Sequence, residues 1–205
     1  MDWIWQGFQL FHKGGFVMYV LLACSLFVVY IGAERWLYYQ TADSGRSFAA
    51  RFYTLIKTKQ YEKAKEFSQH SKGGLADILE EAMSREETMP INGFVEIQSG
   101  ILLANLRSRL YYLNSIVTMA PLLGLLGTIS GMITSFSIFN MESGQAAAIT
   151  GGVGEALIAT AFGLCVAILS LVIHAYFIQR LDHIITDMEM CFSALELHSA
   201  DIQGR

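Results

Sequence analysis

Charge is scarce in this 205-residue chain: 16% of its residues are charged, against about 25% in a soluble domain. The shortage is uneven, since only Glu142 and Glu155 carry charge between Arg109 and Arg180. So poor a stretch excludes a disordered chain, a nucleic-acid binder with a basic face and an ordinary water-soluble enzyme. The cysteines form no CxxC pair: Cys24 and Cys165 lie in apolar runs and Cys191 stands alone. Neither a disulfide framework nor a zinc site is expected from such a set. Also missing are a glycine-rich phosphate loop, an HExxH motif and a Ser/His/Asp set. An enzyme, a metal and a cofactor are therefore not expected. Nor is there an internal repeat or a pair of broken apolar segments of the kind solute transporters use.

What is present is three apolar runs, over residues 16–33, 110–141 and 156–179. The first is close to the roughly 20 residues that cross a bilayer, and it stops at Glu34-Arg35-Trp36. With Asp2 ahead of it and no small-x-small site after it, a cleaved signal peptide is not expected. The second run, built as a helix, would measure about 48 Å, more than a hydrocarbon core of about 30 Å. The expected class is an all-α membrane protein with three transmembrane helices, their ends extending into a helical stalk in water. The parts are an outer-face amphipathic helix (1–15), spans at 16–37, 110–141 and 154–180, a cytoplasmic helical region (38–109), a short outer link (142–153) and a C-terminal helix or tail (181–205). Thirteen of the 14 Lys and Arg residues fall in the segment from Glu34 to Arg109 or beyond the third run. By the positive-inside rule those parts face the cytoplasm, and the N-terminus and the link face out.

At the N-terminus, Ile4, Phe8 and Phe11 share a helical face flanked by Trp3 and Trp5. That suits a helix lying in the headgroup region, or a surface for another protein. In the cytoplasmic part, residues 61–70 and 75–87 read as helices broken at Gly73-Gly74, with Met89-Pro90 ending the second. A further helix is expected to run from Asn92 into the second span without a break.

Polar residues inside the membrane runs carry the functional signal. Pro121, Gly124, Thr128, Gly131 and Ser135 recur at steps of three and four, as do Ala156, Thr160, Gly163, Ala167, Ser170 and His174. Small residues so spaced let helices approach closely, which in lipid is a main source of association. A packing seam with back-bonded threonines and a wet polar path both fit that pattern. Glu155, at the expected start of the third span, favours the path, because a carboxylate there is costly unless it faces a cavity or partner. An exposed interfacial role is its alternative. Glu142 reads as solvated, and His174 as a packing residue or an inner-end relay. Neither span has a mid-membrane Asp or Glu. A proton-conducting role would therefore need a carboxylate from another subunit.

Three segments resemble the MotA/TolQ/ExbB proton channels, in their three-span ExbB/TolQ branch. They are KGGFVMYVLLACSLFVVYIGAERW, APLLGLLGTISGMITSF (120–136) and GEALIATAFGLCVAI (154–168), and KGGLADILEEAMSRE is similar too. The resemblance implies an inner-membrane homopentameric ring around an ExbD- or TolR-type single-span partner whose helix carries an essential Asp. It implies that proton motive force drives work through TonB or TolA-type proteins, in outer-membrane import or in Tol-Pal envelope function. The pore threonines implied are Thr128 and Thr160, and the third-span glutamate is Glu155. The chain departs from the pattern where Ala167-Ile168-Leu169-Ser170 replaces AIPA, where His174-Ala175 replaces Tyr-Asn, and at Val20, where Pro is frequent. Without the third-span Pro, a straighter helix is expected, with any kink left to Gly163. A non-conducting scaffold for the partner helices is the remaining alternative.

Overall fold

The computed structural model describes residues 15–84, 91–141 and 146–199, apart from the side chains of residues 91–92, 137–141, 146–152 and 155. The helix expected over residues 1–15 lies, but for Gly15, outside the described residues, as do Glu142 and the end of the tail. Every regular element described is a helix. In order they are α1 (Gly15–Ala42), α2 (Arg46–Lys57), α3 (Tyr61–Gln69), α4 (Gly74–Ser84), α5 (Ile91–Arg107), α6 (Leu110–Met141) and α7 (Ala146–Leu197). Three stretches, in α1, α6 and α7, are long and apolar enough to cross a membrane.

Two expectations need correction. The helix from Asn92 does not run unbroken into the second span, because Ser108 and Arg109 form a turn between α5 and α6. In an unbroken helix the carbonyls of Asn105 and Leu106 would accept from the amides of Arg109 and Leu110. Here the Asn105 carbonyl accepts from Arg35 Nη1 at 3.0 Å and Ser108 Oγ at 3.0 Å, and the Leu106 carbonyl from the Tyr39 hydroxyl at 3.3 Å. Side-chain donors have replaced the helix's own. The second correction concerns residues 146–153, expected in a link but helical from Ala146 onward. Three successive alanines, the strongest helix formers, open α7 and outweigh the glycines that follow.

The chain divides into two compact units, Met1–Gly32 with Tyr111–Ala175 and Ala33–Leu110 with Tyr176–Arg205. The first holds the apolar parts of α1, α6 and α7. Met18, Leu21, Val28 and Ile31 of α1 are buried along one stripe, while Leu26, Val29 and Tyr30 on its other faces are exposed. Leu122, Ile129 and Ile133 of α6 and Ile168 and Val172 of α7 are each at least half exposed. Apolar exposure on this scale is costly in water, and lipid or neighbouring helices cover it without cost.

The second unit is amphipathic. Helix α2 buries Phe48, Ala49, Phe52 and Ile56, α3 buries Tyr61 and Ala64, and α4 buries Leu75, Ala76, Ile78, Leu79 and Ala82. Each of α2 to α4 packs on the next helix in sequence. The end of α7 supplies Phe177, Leu181, Ile184, Met188, Cys191 and Leu195, all buried at alternating steps of four and three. That is the seam spacing of a packed helix pair. Tyr39 lies against Phe177 with ring centroids 5.2 Å apart. Cys191 is fully buried, its thiol directed at the Ala49 carbonyl at 3.7 Å. Burial, with Asp187 adding to it, pushes that thiol up to about 12.

Gly73 fixes the entry to α4. Its φ is +118°, and a Cβ there would lie 2.8 Å from Ser44 Cα, while the Ser44 hydroxyl accepts from the Ala76 amide at 3.1 Å. Gly73→Ala is expected to destabilise this unit by about 2–3 kcal/mol, from the left-handed backbone and the overlap together. Gly100→Ala, on an open face of α5, should instead stabilise by about 0.5–1 kcal/mol. Thermal unfolding followed by iodoacetamide labelling of Cys191 checks both, since the buried thiol reacts only once the unit opens.

Candidate functional site

The polar face anticipated in the membrane runs is, in the structure, a close contact between α6 and α7. A Cβ at Gly163 would come within 2.6 Å of the Ala120 carbonyl oxygen and 3.1 Å of Gly124 Cα. One at Gly124 would meet the Ala159 carbonyl oxygen and Thr160 Cα, each at 3.0 Å, and one at Gly131 would meet Ala156 Cβ at 2.9 Å. The partners advance along α6 as they retreat along α7, so the two helices run antiparallel through this contact. No side chain larger than hydrogen fits at Gly163 without moving backbone.

Of the residues proposed for the seam, Gly124, Gly131, Ala156 and Gly163 meet directly. Ser170 is fully buried and donates across to the Leu113 carbonyl at 2.9 Å. Ser135 is buried but bonds within α6, to the Gly131 carbonyl at 2.8 Å. Ala167 is buried, and Pro121 is half-buried inside α6. Sequence reasoning missed Gly127, where a Cβ would lie 2.6 Å from Ala159 Cβ and 3.4 Å from Val17 Cγ1 of α1. Its signal was available, because Gly127 stands three residues after Gly124 and four before Gly131 on the same stripe.

The two threonines differ in their bonding. Thr160 donates across the seam to the Gly124 carbonyl at 3.0 Å, whereas Thr128 donates back along α6 to the Leu125 carbonyl at 2.6 Å. A hydroxyl has one proton to give and two lone pairs. With the proton committed to a backbone carbonyl, each threonine oxygen offers a second group only acceptor capacity. Gly124 is thus both the close-contact point and the acceptor that orients Thr160.

Glu155 lies on α7, and its side chain is outside the described residues. Because α7 starts at Ala146, Glu155 sits about two and a half turns inside the helix. The positive helix terminus acts over the first turn only, so position 155 lies beyond its reach. His174 is half-buried on α7, about 21 Å along the helix from Thr160 at 1.5 Å per residue. The only hydroxyl on α7 between them, that of Ser170, is directed at Leu113. Among the described residues, no group of three or more His, Cys, Asp or Glu side chains could hold a metal ion.

Known proteins resemble this chain over much of its length. The family model described as the MotA/TolQ/ExbB proton channel family matches residues 55–190. The putative biopolymer transport protein ExbB-like 3 of Synechocystis sp. is 32% identical over 164 residues, covering 77% of this chain and 78% of that protein. ExbB-like 1 of the same organism is 30% identical over 170 residues, covering 80% and 67%. The biopolymer transport protein ExbB of Neisseria gonorrhoeae is 40% identical over a shorter stretch of 95 residues, 43% of this chain and 42% of that one.

The contact distances give a direct test of the seam. Gly163→Ala is expected to destabilise the α6–α7 pair by about 1–3 kcal/mol, the usual range for overpacking. Gly154→Ala, where a Cβ meets nothing within 4 Å, should instead stabilise slightly, by about 0.5–1 kcal/mol. Reversible unfolding of the two variants in mixed micelles, with rising denaturing detergent, would separate them.

Proposed function

This chain belongs to the MotA/TolQ/ExbB proton channel family, and from that premise we propose that it is the ring-forming subunit of an ExbB-like proton-driven motor in a bacterial inner membrane. As a multi-pass membrane protein of that family, it would place its N-terminus outside and its C-terminus in the cytoplasm, as its Lys and Arg distribution favours. Five copies would surround a single-span partner of the ExbD or TolR type, whose helix supplies the Asp that this chain's spans lack. Proton flow through the complex would drive TonB-dependent import, or TolA-linked envelope work in the TolQ-like alternative.

The observation that carries the mechanism is the bond from Thr160 to the Gly124 carbonyl. It leaves the hydroxyl oxygen as an acceptor, as the Leu125 bond does for Thr128, and in the proposed ring both oxygens would face the pore. A protonated partner Asp can donate to such oxygens, while its carboxylate form gains no donor from them. The threonine rings would therefore bind the partner helix in its neutral state and release it on proton loss, which couples titration to movement. Glu155 would line the outer approach to the ring, and the remaining seam residues would hold α6 and α7 at the spacing this bond requires.

The same bonds favour a second reading, in which both hydroxyls serve packing alone and the chain is a non-conducting scaffold. Proton flux into liposomes holding the chain with its single-span partner decides between them. Thr160→Val is expected to lower flux by about tenfold or more, equivalent to about 1.4 kcal/mol. Thr160→Ser, which keeps the hydroxyl, should retain most of the flux, and partner Asp→Asn should abolish it. Unchanged flux in Thr160→Val with the ring assembled would support the scaffold.

A further inference from the structure

Where α1 gives way to α2, a cavity of about 400 Å³ opens beside α7 within the second unit, at the low end of the roughly 300–1,000 Å³ typical of ligand pockets. Asp43, Arg46, Tyr176, Arg180, His183 and Asp187 line it. Part of this set is satisfied internally. Arg180 Nε donates to Asp43 Oδ2 at 3.2 Å, and Asp43 Oδ1 accepts the Gly45 amide at 2.8 Å. Arg180 Nη1 also reaches the Tyr176 hydroxyl at 3.4 Å.

Two opposite charges are left over. Asp187 is only 8% exposed, and no hydrogen bond or ion pair with another described residue holds its carboxylate. Arg46, exposed at the first position of α2, likewise makes none among the described residues. Each feels the other's charge, and burial still raises the Asp187 carboxyl above its usual range despite Arg46 and His183, with Asp43 adding to the rise. The carboxylate is therefore open to the cavity and unpaired there, since no buried side-chain oxygen among the described residues lacks a partner. The cavity keeps its natural counter-ion too far away to pair.

The position narrows what could complete the pair. Tyr176, on the cavity wall, stacks on Trp36 with centroids 5.5 Å apart and planes 19° apart. Trp36 follows the charged stop of α1, and aromatic residues of this kind mark the headgroup level of a bilayer. We infer that the cavity seats the phosphoethanolamine group of a membrane phospholipid, its ammonium donating to Asp187 and its phosphate accepting from Arg46. A primary ammonium has N–H donors for a carboxylate that lines a cavity. A trimethylated head has none, and a glycerol head has no positive charge. Arg46 supplies a planar donor fork that suits phosphate.

The test uses the full chain in nanodiscs made of equal parts phosphatidylethanolamine, phosphatidylcholine and phosphatidylglycerol. The complex is extracted into mild detergent, and the retained lipid is measured by native mass spectrometry. Wild type is expected to retain the ethanolamine lipid over the choline lipid by about tenfold, the discrimination one charge-assisted hydrogen bond provides. Asp187→Asn should bring that ratio close to one, and Arg46→Gln, which removes a phosphate contact common to all three lipids, should lower retention of each several-fold, with Cys191 still protected from iodoacetamide as the check on folding. Arg46 is exposed, so its variant serves if Asp187→Asn does not fold. Soluble glycerophosphoethanolamine, added to lipid-stripped protein, identifies the source. If it stabilises wild type and not Asp187→Asn, the same chemistry is met without acyl chains and the site stands. A lipid ratio unchanged by Asp187→Asn, total lipid retention unchanged by Arg46→Gln, or no preference for ethanolamine over choline in wild type, overturns the proposal.

Discussion

The membrane part of this protein depends on one steric constraint, the approach of the α6 backbone at Ala120 and Gly124 to the α7 backbone at Gly163. Lipid gives apolar helices no hydrophobic reason to associate, so van der Waals contact and interhelical hydrogen bonds must hold them. Both weaken steeply with distance. Glycine at Gly163, with glycine opposite it at Gly124, brings the helices close enough for Thr160 to reach the Gly124 carbonyl at 3.0 Å. A few residues on, Ser170 reaches Leu113 by the same means. Steric fit comes first, and the polar contacts depend on it.

Backbone carbonyls are the common currency of the polar contacts in both units. In the seam, threonine and serine donate to carbonyls that already accept helical bonds, using the second lone pair. At the turn between α5 and α6, Arg35 and Tyr39 donate to carbonyls whose helical donors have moved away. Arg35 can do this while only 3% exposed because Glu34 holds its guanidinium through two contacts of 2.8 Å. Glu34 also meets Arg109 Nη1 at 3.2 Å. The Glu34-Arg35 pair, which in the sequence reads as a stop signal for the first span, thus also secures the start of the second. Burying a guanidinium is tolerable only when its donors are matched, and here the matching groups are a neighbouring carboxylate and a freed carbonyl.

The spans and the small-residue stripes were legible because their periodicity is local. Apolar runs of bilayer length and glycines at steps of three and four need no tertiary information to be seen. Gly127 was equally visible and went unread. The Ser108–Arg109 turn was not legible, since its cause is Arg35 and Tyr39, some 70 residues away in sequence. The helical start at Ala146 was misread because glycines at 151, 152 and 154 suggested a link, when three alanines ahead of them suffice to begin the helix. The buried stripe from Phe177 to Leu195 follows a regular four-three pattern that crosses from the expected third span into the expected C-terminal helix or tail. The bonding of the two threonines was beyond reach. Both occupy small-residue faces, and only coordinates separate a hydroxyl that crosses the seam from one that folds back on its own helix.

That difference bears on how a hydroxyl-lined path could handle a proton. A threonine free to rotate can donate or accept, and so cannot distinguish a carboxylic acid from a carboxylate. Once its proton is fixed on a backbone carbonyl, it accepts only, and it meets the acid better than the base. Breaking the Thr160 bond to reverse that preference would leave the Gly124 carbonyl, which lies in the closest part of the seam, with one contact fewer. The packing constraint and the protonation preference are therefore linked through a single atom, the Gly124 oxygen. Loosening the seam would free the hydroxyl and erase the selectivity before it unfolded the helix pair.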